Sequence, residues 1–234
     1  MKKLILCASL ALAVVVALGS CKHPANEGGG NDDKTTPPVV TVTHEAGGVV
    51  LDDGSWIEKA DIASLDVAAL SGKKVAGISA YEIDGKQYVV APTTASSKVW
   101  AKSGTEGYNT NITAMQGTKE VKQTGENNLA ELKKVATDYS EVNYPAFCWA
   151  ENYGDKKWYI PSIYELNELY QNKAAINAAL TKLNSIESST YPIKELTGYY
   201  WSSSQVASND NGAWLLRFSS GAVDNNDKDN GLVC

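Results

Sequence analysis

Histidine supplies the commonest general base, and the chain has only two, His23 and His44. Both lie ahead of the part expected to fold, which is therefore expected to lack Ser–His and Cys–His nucleophile pairs and histidine metal sites. Ser202-Ser203-Ser204 offers hydroxyls without a Gly-x-Ser-x-Gly elbow to activate one, and no loop has phosphate-cradling glycine spacing. Carboxylates such as Asp61, Glu151 and Glu165 are plentiful, yet no spacing marks out a catalytic pair, and solvated surface is the default for each. The chain is read as non-catalytic, with a carboxylate-based exported enzyme or a structural envelope lipoprotein as alternatives. The run Asp224-Asn225-Asn226-Asp227-Lys228-Asp229-Asn230-Gly231 has the composition of a calcium loop. With Gly231 at the sixth loop position, Lys228 falls where an oxygen ligand is required, and no closing glutamate follows. That excludes the helix–loop–helix calcium motif and leaves a solvated polar loop or an irregular oxygen site. No metal or cofactor is assigned.

Cysteine chemistry points to export. Lys2 and Lys3 precede an apolar run from Leu4 to Leu18, too short for a stable membrane span, and the pattern over 1–20 reads as a signal peptide. It ends at Leu18-Gly19-Ser20-Cys21, a lipobox-like sequence that predicts lipidation of Cys21, so the membrane is an expected partner through acyl chains. Cys7 leaves with the leader, and the remaining Cys148 and Cys234 are an even pair for which a disulfide is expected; two free buried thiols are the other reading. The net charge of −6 includes both leader lysines, and Arg217 is the sole arginine, a composition that argues against nucleic acid.

These residues need elements to hold them. Residues 21–46, with Gly28-Gly29-Gly30 and Pro37-Pro38, read as a flexible tether, and 47–234 as one domain. Within it, Lys74 to Asp84 and Gln87 to Ala91 form a predicted hairpin about Asp84-Gly85. Residues 101–127 read as a long ordered loop, and a helix is expected near Leu129, with Asn128 and Glu131 at its cap. A short helix is expected over Tyr144 to Tyr153, then a longer one from Ser162 to about Asn184, begun by a Ser162–Glu165 capping box. Strands follow at Tyr199–Ser203, Ala213–Ser219, Gly221–Val223 and Leu232–Cys234. Strands, helices, then strands give an α+β fold. Alternation assigns Trp158, Trp201 and Trp214 to the core.

Trp158-Tyr159-Ile160-Pro161-Ser162, Tyr200-Trp201-Ser202-Ser203-Ser204, Ala213-Trp214 and Phe218-Ser219-Ser220-Gly221 occur in that order. The set resembles the C-type-lectin-like domains of bacterial surface lipoproteins and collagen-like adhesins, in their formylglycine-generating-enzyme variety. That fold hosts unrelated activities, so function must come from the site. The paired-cysteine copper site of the catalytic branch finds no match, and the calcium-lectin motifs do not occur. The resemblance then implies a binding branch, including the variable proteins of diversity-generating retroelements, in which asparagine-type codons near the carboxy-terminus are rewritten. It implies a protein or glycan ligand on a host or neighbouring cell and a location on the outer-membrane surface. Expected contact residues are Asn209, Asn211, Asn225, Asn226 and Asn230 on one face, with Tyr199 or Tyr200 as aromatic anchor.

Overall fold

A computed structural model describes residues 6–7, 43–154, 158–187 and 195–232. Cys21, the remaining leader residues and most of the tether lie outside the described residues, as does Cys234. The architecture is α+β. Five short strands build one antiparallel sheet: β1 (Leu6–Cys7), β2 (Val49–Leu51), β3 (Trp56–Ile57), β4 (Val75–Ile83) and β5 (Lys86–Val90), in the order β1-β5-β4-β2-β3. Asp84 and Gly85 take φ of 53° and 72°, the primed turn expected of an Asp-Gly hairpin. His44 belongs to this folded part, contrary to the expectation of a histidine-free body. Its ring stacks on Trp56 with centroids 3.8 Å apart, and its Nδ1 lies 2.8 Å from Glu58 Oε1. Ser79 Oγ donates to the His44 carbonyl rather than to the ring, so the contact fixes the chain and builds no nucleophile pair.

A one-turn helix, α1 (Val67–Leu70), precedes β4, and the stretch 101–127 is ordered and carries α2 (Glu106–Asn109) and a 3₁₀ turn at Thr113–Met115. Helix α3 (Gly125–Val135) is capped by Thr124, whose hydroxyl accepts from Asn127 N. The expected cap, Asn128, instead lies inside the helix and is wholly buried. Helix α4 (Pro145–Asn152) is followed by Gly154 at φ 52°. The expected long helix is two: α5 (Ile163–Gln171), opened by the Ser162–Glu165 capping box, and α6 (Lys173–Glu187). They part at Asn172, whose side-chain amide donates to the Glu168 carbonyl and competes with the helical ladder. The apolar face nevertheless continues across the break through Ile163, Leu166, Leu169, Ile176, Leu180 and Leu183, all in one core with β4 and β5.

A second antiparallel sheet, β7 (Tyr199–Gln205), β8 (Gly212–Arg217) and β9 (Ala222–Asp227), has β8 at its centre. One face sends Tyr200 and Leu216 into the core shared with α5 and α6. The other sends Trp201, Ala213 and Leu215 into a second core with α3 and α4. Burial on both faces makes β7 and β8 a rigid platform. Finally β6 (Lys98–Val99) pairs with β10 (Gly231–Leu232), tying the end of the described chain to its middle.

Candidate functional site

The serine strand is structural. Ser202, Ser203 and Ser204 are fully buried, and they knit β7 to the starts of α3 and α5. Ser203 N donates to the Pro161 carbonyl at 2.7 Å, Asn128 Nδ2 to Ser203 Oγ at 2.9 Å, and Ile163 N to Ser204 Oγ at 3.1 Å. Trp100 Nε1 donates to the Ser202 carbonyl and Trp201 Nε1 to that of Lys98. These bonds tie three elements into one arrangement, although Asn128 Oδ1 is buried with no hydrogen-bond partner among the described residues. Glu165 closes it, accepting from Ser162 N, Gly125 N and Tyr159 OH. Asp61 lies in a 3₁₀ turn (Lys59–Ser64), Glu151 on α4 and Glu165 on α5, so the acids named from sequence are not gathered into one site.

Trp158 and Trp201 are core residues as expected, but Trp214 is only partly buried. It stands on β8 beside the edge strand β9, directly opposite Asn225, where no further strand among the described residues pairs with β9. Tyr200 is buried edge-to-face against Phe218 and cannot serve as a contact residue. Tyr199 is exposed, with Arg217 4.5 Å over its ring. Tyr199 pairs with Arg217, however, whereas the asparagine turns flank Gly212 at the other end of β8, about 17 Å away along the strand. The two halves of the expected site are thus apart.

Asp224 to Asp227 form a strand rather than a loop, because each residue from Gly212 to Arg217 finds a partner on β9. Alternation then puts Asn225 on the Trp214 face and Asn226 on the Ala213 face, so the asparagines do not share one face. Asn226 Oδ1 accepts from Asp227 N and from Asn230 Nδ2, and Asn209 Oδ1 accepts from Asn211 N. These bonds commit Asn209 and Asn226 to local structure. The Asn211 and Asn225 side chains are exposed and make no hydrogen bond among the described residues. Around them Asp210, Asp224, Asp227 and Asp229 are also exposed, giving this end of the sheet a negative surface.

Two residues here were missed by the sequence reading. Tyr108 is the aromatic side chain beside the turns; burial and then the charges of Asp229 and Asp227 push its phenol above the usual range. Lys228 is buried, with its Nζ donating to the carbonyls of Gly107, Tyr108 and Asp210. Burial lowers its pKa from 10.5 to about 8, and the nearby Asp210 charge opposes that shift. A lysine in an Asn/Asp-rich run reads as solvated, and only its misfit in a calcium loop set it apart.

A cleft of about 410 Å³ lies beside Cys148, lined also by Tyr139, Ser140, Glu141, Glu151 and Asn152. Glu151 is taken up by Lys133 and the Tyr139 hydroxyl. Burial pushes the Cys148 thiol up, which disfavours a thiolate nucleophile. The thiol is free among the described residues, and the expected partner Cys234 lies outside them. Among the described residues no His, Cys, Asp and Glu side chains are grouped to hold a metal ion.

A family model described as the Lcl C-terminal domain matches residues 99–234. The chain belongs to this family. No curated protein and no solved structure matches the chain. The Lcl C-terminal match begins within β6 and takes in the buried serine seam, the platform sheet and both asparagine turns, while β2 to β5 precede it.

Proposed function

We propose that the protein is a lipid-anchored surface protein whose lectin-like domain binds a macromolecular ligand without catalysis. The anchor is the acylated Cys21, and the ligand-facing surface is formed by the 207–211 turn, β9 and the 228–230 turn. Membership of the Lcl C-terminal domain family supports a ligand-binding role at the surface. One structural observation carries the site: short polar side chains, Asn211 and Asn225 unbonded among them, stand on or beside a sheet whose strands β7 and β8 pack most of their side chains into two cores. Such tips lose little rotamer freedom on binding and offer both donor and acceptor. Tyr108 replaces Tyr199 as the aromatic element of the surface.

Four exposed aspartates and a lysine already occupied by carbonyls favour a partner with accessible positive charge, so a protein with a lysine- or arginine-rich patch fits better than an acidic glycan. The test is a surface pull-down followed by titration of the recovered ligand against the full chain at rising salt. Affinity that falls with salt supports this reading; affinity that rises with salt, or a purely acidic ligand, overturns the charge assignment. Adenine-rich asparagine codons over 209–230, with a near-copy and a reverse transcriptase gene nearby, would extend the reading to a diversified receptor.

A further inference from the structure

Among the described residues Lys228 is the one lysine buried outright, and its ammonium has no carboxylate within ion-pairing distance. All its partners are main chain. Nζ reaches the Gly107 carbonyl at 2.9 Å, that of Tyr108 at 3.3 Å, and that of Asp210. The Trp100 ring lies beneath it, 5.2 Å from ammonium to centroid. Its own backbone completes the junction: Lys228 N donates to the Asn211 carbonyl, and the Lys228 carbonyl accepts from Trp100 N and Ala101 N.

We propose that the Lys228 ammonium is a built-in cation that does for the 207–211 and 228–230 turns what a bound metal ion does in a loop-rich site. It draws carbonyl oxygens from α2 and the β7–β8 turn onto one positive centre, with an indole face completing the shell. The same position that spoils a calcium loop in the sequence supplies the charge such a loop would have bound. Because the clamp reads backbone carbonyls, the Asn211 side chain is not among its ligands and can change without removing one of them. A surface that varies its side chains on fixed turns needs that property. The ordering rests on geometry; its bearing on ligand affinity rests on the function proposed above.

Hydrogen–deuterium exchange of the full chain in detergent tests the clamp without any ligand. In Lys228→Met, exchange is expected to rise about tenfold or more in peptides covering 106–109 and 207–212, since charge-assisted bonds are lost, while α5 and α6 keep their protection. Asn211→Ala is expected to exchange like the wild type. Wild-type exchange rates in Lys228→Met would overturn the proposal. Should that variant fail to fold, nitrogen-detected NMR of the wild-type lysine ammonium groups decides: one solvent-protected ammonium assigned to Lys228 is expected, and its absence overturns the clamp. Either failure leaves the ligand-binding reading untouched, because neither measurement involves a ligand.

Discussion

Glu165 accepts three hydrogen bonds, each of which stabilises its charge, yet enclosure outweighs them and lifts its carboxyl from 4.5 to about 7. The folded chain therefore holds a proton that the unfolded chain has released between about pH 4.5 and 7. This residue's contribution to stability is complete below pH 4.5 and is lost as the pH rises through about 7. Glu165→Gln keeps the shape without the charge, so it is expected to flatten that part of the curve; urea titrations across the window check it. Gly125, which donates to the same carboxylate, admits no side chain, because a Cβ would lie 1.9 Å from the Ile160 carbonyl oxygen. Gly125→Ala is expected to cost about 3 kcal/mol or more, read as a lowered denaturation midpoint at unchanged slope.

At the scale of elements, the hairpin at Asp84-Gly85 and the Ser162 capping box were legible because each depends on residues within four positions of one another. The apolar stripe of α5 and α6 was legible too, but the break at Asn172 was not, since a stripe survives a kink that keeps its face. Asn128 was misread as a cap because only tertiary structure places Ser203 and Ser204 against its amide. Strand β9 was foreseen at its start, Ala222 and Val223, but Asp224 to Asp227 were hidden by composition: Asp and Asn disfavour strands, and pairing with β8 overrides that preference. The expected grouping of the asparagines on one face ignored alternation along β9, which sets Asn225 opposite Trp214 and Asn226 opposite Ala213. Tyr108 meets this region only through contacts of long sequence separation, and Lys228, which lies within it, finds its Gly107 and Tyr108 carbonyl partners the same way. Leu232 of β10 packs against the core that also holds Cys148. A Cys148–Cys234 bond is expected in exported protein and should contribute about 4–5 kcal/mol by loop entropy. Non-reducing peptide mass mapping that finds both thiols free contradicts it.

At the scale of the whole molecule, the proposed lipid anchor at Cys21 carries a domain whose two cores fix one sheet and leave its far end polar. Cys21→Ser is expected to abolish incorporation of a fatty-acid analogue and to release the protein from membranes; continued labelling contradicts the anchor. In the domain, scaffold and proposed contact surface are separable, since the exposed Asn211 and Asn225 side chains bear little of the packing. The most direct test compares wild type with the Asn211→Ala/Asn225→Ala double variant, measuring affinity for the recovered ligand by calorimetry and melting temperature on the same samples. The account predicts an affinity loss of about tenfold, on the scale of one well-placed contact, with an unchanged melt. Unchanged affinity in a folded double variant would contradict it.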